Sequence, residues 1–140
     1  MKSIAEIQEE IVDEFSLYDE WLDKYEYLID LGRGMSLASD ADKCEANLID
    51  GCQSRVWVTS SSDAEGRLHF RADSDAIITK GIISLLIRVF DGQKPQDILA
   101  ADLNFIDRIG LRENLSPTRA GGLAAMIKRI RAIAQNSLEG

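Results

Sequence analysis

The stretch from residue 77 to 90, IITKGIISLLIRVF, constrains this chain more than any other. Ile77, Ile78, Ile82, Leu85, Leu86 and Val89 recur at helical spacing, while Ile83, Ile87 and Phe90 add apolar groups on further faces. A helix apolar around most of its circumference has to be surrounded, so the remaining chain must wrap it as the central buried helix. Its capping signal is Asp73-Ser74-Asp75, whose side chains suit the first free amides, and its stop is Gly92. Gly81 in the middle weakens a helix by about 1 kcal/mol against alanine, which predicts a second backbone approaching closely there.

The wrapping elements are legible in turn. Ser3 and Glu6 have the form of a capping box, followed by Ile4, Ile7, Ile11 and Phe15 at helical spacing. A second amphipathic helix begins near Ser16, carries Trp21, Leu22, Tyr25, Leu28 and Ile29 on one stripe, and ends at Gly32 as its C-cap. Residues 33–50 lack a period and read as an irregular segment. After Ser54 the pattern switches to period two: Val56 and Val58 face one way, Trp57 and Thr59 the other. A turn follows at Asp63-Ala64-Glu65-Gly66, and Leu68, Phe70 and Ala72 then alternate with Arg67, His69 and Arg71. This is an antiparallel hairpin with one wet face, on which His69 reads as a surface residue and Trp57 as core. Beyond Lys94-Pro95, short helical pieces are expected around 96–99 and 102–109. Ser116-Pro117 starts a last helix with Leu123, Met126, Ile127, Ile130 and Ile133 on one face and Lys128, Arg129 and Arg131 toward its C-terminal end. The order predicts an α+β domain, a small antiparallel β-sheet packed against several helices.

A chain of 140 residues, 45% hydrophobic and 29% charged, suits one globular domain spanning 1–140. No apolar run approaches membrane-spanning length, and the acidic start MKSIAEIQEE lacks a signal-peptide core, so a cytoplasmic location without membrane association is expected. The net charge of −8 is uneven. Residues 1–66 hold 16 acidic and 5 basic side chains, residues 67–140 hold 8 and 11. Such acidity disfavours nucleic acid as a partner, and the acidic half could steer a basic protein partner.

Only two cysteines are present, Cys44 and Cys52, so there is no disulfide framework. Cys52 stands in DGCQSRVW, on the connection entering the first strand rather than inside an apolar run. Gly51 before it permits positive φ and a turn that projects the next side chain. From the residues alone two readings stand: a small loop residue without a role, and an accessible thiol able to react.

Several separated motifs together resemble the SufE family (the SufE and CsdE type). They are GCQSRVW at 51–57, SDAIITKG at 74–81, the run from Ile109 to Arg119 with Gly122, Leu123 and Met126 after it, and KYEYLIDLG at 24–32. The match covers nearly the whole chain in order. The resemblance implies a SufE/IscU-like fold with a small curved sheet, and a cysteine loop packed on apolar residues in the free protein. It also implies an accessory sulfur carrier rather than an independent enzyme. Cys52 would accept persulfide sulfur from a cysteine desulfurase of the SufS or CsdA type, stimulate that enzyme, and relay the sulfur to an iron-sulfur assembly scaffold of the SufBCD type. Gly51, Gln53 and Ser54 would shape the loop; Asp75 and Arg119, within matching motifs, would support it or meet the partner. Each of those two also reads as a helix cap or a surface ion pair. No cofactor or metal is implied for this chain, pyridoxal phosphate belonging to the desulfurase, and the expected state is a monomer or weak homodimer.

Two positions depart from the family pattern. Thr118 replaces the commoner serine and keeps its hydroxyl. Cys44, eight residues before Cys52, is not a position tied to the family's function and opens a rival reading, a thiol redox protein using a Cys44/Cys52 pair, although the spacing is wider than C-x-x-C. A metal or cluster scaffold is a second rival, for which two cysteines and one histidine are a weak ligand set. A pure interaction protein is a third.

Overall fold

The structure, a computed structural model, describes residues 2–35 and 38–139, so Ser36 and Leu37 of the expected irregular segment lie outside the described residues. At its centre is the helix α3, Ile77–Phe90. From Ile78 to Phe90 only Lys80 and Arg88 escape full burial, which agrees with the apolar character of every face. The buried apolar side chains of the other elements join those of α3 in one cluster.

The helix α1, Ile4–Phe15, starts at the expected capping box, with Ser3 Oγ accepting from the Glu6 amide and Glu6 Oε1 accepting from the Ser3 amide. It buries Ile4, Ile7, Ile11 and Phe15 as its spacing predicts. The helix α2, Trp21–Arg33, begins later than expected, because the Ser16 hydroxyl donates back to the Asp13 carbonyl at the end of α1. Its apolar stripe is narrower too: Leu22 is 68% exposed, whereas Leu28 is buried. Gly32 is not its C-cap. The helix runs on through Arg33 and closes at Gly34.

Gly32 instead marks where α2 crosses α3. A Cβ on Gly32 would stand 2.7 Å from the Gly81 nitrogen, and one on Gly81 would stand 2.4 Å from the Leu28 carbonyl oxygen. The two backbones touch, and no side chain fits between them, which is the close approach that Gly81 predicts.

The strands β1, Val56–Ser62, and β2, Leu68–Ser74, pair antiparallel from Val56 opposite Ser74 to Ser62 opposite Leu68. Val56, Val58, Leu68, Phe70 and Ala72 form the buried face. Trp57 is half-buried on the other face, with the Lys43 ammonium 5.9 Å from its ring centroid, rather than in the core. On that wet face His69 Nε2 meets Asp63 Oδ2 at 2.9 Å. Strand β2 runs through Asp73 and Ser74, which the capping expectation assigned to the start of α3. The buried Asp73 carboxylate pairs with Lys43 (2.6 Å) and Lys80 (3.3 Å), so only the Ser74 hydroxyl reaches the helix start, accepting from the Ala76 amide.

Short helices α4 (Pro95–Ala100), α5 (Phe105–Arg108) and α6 (Leu111–Asn114) lead to the long helix α7, Pro117–Glu139. The Ser116-Pro117 start holds, with Ser116 Oγ accepting from the Arg119 amide. Because α7 continues to Glu139, Arg129 and Arg131 lie in its middle and serve no helix end. Arg131 donates to the Ala101 carbonyl and Arg129 to carbonyls of the 46–48 turn.

Candidate functional site: the cysteine loop

The segment before β1 is folded without regular structure. One 3-10 turn covers Asp40–Asp42, capped by Ser39, and a second covers Glu45–Asn47. The Asn47 amide donates to the Asp42 carbonyl (2.8 Å), and Leu48 bridges to Trp57, laying the chain against the edge of β1. The buried Ile49 donates its N–H to the Val56 carbonyl at 2.8 Å, closing a loop of residues 50–55. At its far end the loop is held by the start of α3's connection. Asp75 Oδ1 accepts from the Arg55 amide (3.0 Å), the Asp75 amide donates to the Arg55 carbonyl (3.2 Å), and the Ser74 hydroxyl donates to the same carbonyl (2.8 Å). Asp75 therefore touches the loop itself and does not cap a helix.

Between these anchors Gly51 adopts φ +92°, the left-handed region that favours glycine. The turn brings the loop down onto α7: a Cβ on Gly51 would lie 3.2 Å from the Ala125 Cβ. Cys52 then points inward rather than outward from a tip. Its thiol is half-buried and donates to the Gly122 carbonyl, Sγ to O 3.6 Å. It lines a cavity of about 90 Å³ together with Gln53, Ser54, Thr79, Ile82, Thr118, Arg119, Gly122 and Met126. Burial pushes the Cys52 thiol above its ordinary pKa, because the loss of solvent around the half-buried sulfur disfavours the thiolate.

Arg119 stands at the rim. Its guanidinium donates to the Tyr25 hydroxyl of α2 (3.1 Å) rather than to a carboxylate, tying α7 to α2 beside the cavity. Gln53, Ser54 and Arg119 are thus brought together with Cys52, whereas Asp75 acts one step away through Arg55. Cys44 lies on another turn, exposed, with its Sγ 3.6 Å from the Asn47 amide nitrogen. Thr79 and Met126 fall within the matching motifs and Ile82 on the apolar stripe of α3, but that they meet as walls of one cavity follows from tertiary packing.

The family model for the SufE "Fe-S metabolism associated domain" matches residues 9–134. The chain belongs to the SufE family. It is 37% identical over 134 residues to an uncharacterized SufE-like protein of Rhizobium meliloti (strain 1021), covering 93% of this chain and 96% of that protein. Its fold matches the solution structure of a hypothetical protein from Thermus thermophilus with a TM-score of 0.77 at 20% identity, over 96% of this chain and 97% of that one. An association with Fe-S metabolism follows from family membership, and the helix-rich α+β fold with its two-stranded antiparallel sheet agrees with the sequence expectation. Among the described residues no three or more of His, Cys, Asp and Glu gather as a metal site, and no helix is long and apolar enough to cross a membrane.

Proposed function

We propose that this SufE-family protein is a persulfide carrier: Cys52 takes the outer sulfur from the persulfide of a pyridoxal-phosphate-dependent cysteine desulfurase and relays it to an iron-sulfur assembly scaffold. The observation that supports this reading most directly is the placement of Cys52. Its thiol sits half-buried in a surface cavity, on a loop anchored at both ends. A buried inert cysteine would have no surface cavity, and a freely exposed one would have no shelter.

In the first step the Cys52 thiolate attacks the outer sulfur of the desulfurase persulfide. A new S–S bond forms at Cys52 while the old one breaks, and the desulfurase cysteine leaves as a thiolate that picks up the proton. In the second step a scaffold thiolate attacks the outer sulfur on Cys52, and Cys52 leaves in turn. Neither step needs a cofactor on this chain. In the resting loop the raised thiol pKa keeps Cys52 protonated and slow to react or oxidise. Docking must lift the loop off α7, lowering that pKa and exposing Sγ. Gln53 and Ser54 move with the cysteine, whereas Asp75 holds Arg55 and Arg119 marks the rim that an arriving partner meets.

The test is intact mass spectrometry after mixing the protein with a cysteine desulfurase and cysteine. A gain of one sulfur atom, lost in Cys52→Ser and kept in Cys44→Ser, is expected. Full desulfurase stimulation by Cys52→Ser would instead establish docking alone, and loss of the adduct in Cys44→Ser would establish the redox pair.

A further inference from the structure

The loop rests on one stripe of α7. Gly122 accepts from the Cys52 thiol, Ala125 lies under Gly51, and Met126 lines the cavity. One turn further along the same face stands Arg129, at i+3 from Met126 and i+7 from Gly122. Its Nη2 donates to the Ala46 carbonyl at 2.6 Å and its Nη1 to the Leu48 carbonyl at 3.4 Å. Both acceptors belong to the turn that delivers the chain to Ile49 and the loop. The helix that receives the thiol therefore also holds the loop's upstream approach, through a single side chain.

We propose that Arg129 is a positioning residue for Cys52: its guanidinium clasps the 46–48 turn to α7 and so sets how readily the cysteine loop lifts. The inference rests on the carrier reading and deepens it. The downstream end of the loop is secured by three bonds between Arg55 and the Ser74-Asp75 pair, all independent of α7. Upstream, the bonds to β1 pin Leu48 and Ile49 to the strand, and among the described residues Arg129 is the side chain whose hydrogen bonds pin this approach to the helix that shelters the sulfur. Arginine suits the task because its planar fork reaches two carbonyls that diverge along a turn. A lysine has a compact head that satisfies one such carbonyl well. Releasing the clasp leaves the core untouched, since Ala46 is exposed and Leu48 only half-buried. The loop then lifts more readily between its anchors at Ile49 and Arg55, which keep their own bonds, and Sγ spends more time off Gly122.

The experiment uses the full chain in a Cys44→Ser background, because both cysteines fall in one tryptic peptide, residues 44–55. Iodoacetamide alkylation of Cys52 at neutral pH is followed by intact mass. Arg129→Ala should raise the rate about tenfold, the effect of losing one strong and one long charge-assisted bond on a closed-to-open ratio. Arg129→Lys should fall between Ala and the parent. Ile11→Val, in the buried face of α1 away from the loop, lowers stability without touching the clasp and should leave the rate unchanged. An Arg129→Ala rate within about twofold of the parent would overturn the proposal, as would an equal rise in Ile11→Val. Sulfur uptake by the parent protein is a separate readout. Its failure would overturn the carrier reading, while the alkylation rates would still decide the clasp.

Discussion

Gly81→Ala tests the argument that the α2–α3 crossing holds the fold, and with it the walls of the Cys52 cavity. The new Cβ would lie 2.4 Å from the Leu28 oxygen and 2.9 Å from the carbon bearing it. Ordinary contact needs about 3.5 Å, so roughly 1 Å of separation must be found. Both obstructing atoms are backbone, and no rotamer change relieves the overlap. The helices must part along the most extensive helix pairing among the described residues. A gap of that size forfeits about a quarter to a half of each dispersion contact it opens. Overpacking of this kind costs about 1–3 kcal/mol, and the backbone origin places it near the upper end. Alanine's better helix propensity offsets about 1 kcal/mol. The net destabilisation is about 2 kcal/mol, or roughly 6–10 °C in Tm for a chain of this size. Thermal and urea unfolding measure it, with Gly121→Ala as the control. Gly121 has open space around it, so that change should stabilise by up to about 1 kcal/mol. A Gly81→Ala protein that melts at or above the parent, with an unchanged m-value, would refute the reasoning. Thr79 and Ile82 flank Gly81 and line the cavity, so the same variant should also alkylate faster at Cys52.

Three further outcomes follow from the charges and the thiol. Because burial raises the Cys52 pKa, its alkylation profile should be displaced to higher pH than that of a small free thiol and should return to the ordinary range in urea. At Asp73, burial pushes the carboxyl pKa up, but bonds from Lys43, the Ser74 amide and Lys80 outweigh it and hold the pKa below the ordinary range. That stabilisation is present above about pH 4 and lost as pH falls through the lower folded value, so Asp73→Asn should flatten the acid limb of a Tm profile and cost about 2 kcal/mol at neutral pH. Burial, and then the hydrogen bond its hydroxyl donates to Glu14, push Tyr27 up to about 12. Its contribution is intact below about pH 10 and fades as pH rises toward that folded value, and Tyr27→Phe should remove this alkaline loss, read by circular dichroism.

The sequence carried those features that a local period or a backbone requirement enforces. The apolar circumference of α3, the alternation in the hairpin, the Ser3–Glu6 box and the tight approach at Gly81 were legible because each constrains neighbouring residues. Gly32 is ambiguous in sequence, since a glycine ending an apolar stripe looks the same whether it caps a helix or admits another backbone. Asp73 resembles a helix cap in sequence, but its ion pairs come from Lys43 and Lys80, 30 residues back and 7 ahead, and draw its carboxylate away from the helix start. Within the site, Cys52 and Gly51 stood out as a pair. The cavity and Arg129 did not, because side-chain bonds to carbonyls some 80 positions away leave no periodic trace.

The anchors at Ile49 and Arg55 have a geometric consequence for any exchange of sulfur. Three Cα–Cα links separate Cys52 from each anchor, so its Cα stays within about 11 Å of both, however the loop rearranges. The loop is a short leash, and the volume it can sweep is a small lens over the N-terminal half of α7. A partner cannot wait at its own surface for a long arm to arrive. It must bring its reactive sulfur into that lens, which makes delivery a matter of how closely two rigid bodies seat and leaves little to diffusion of the tether.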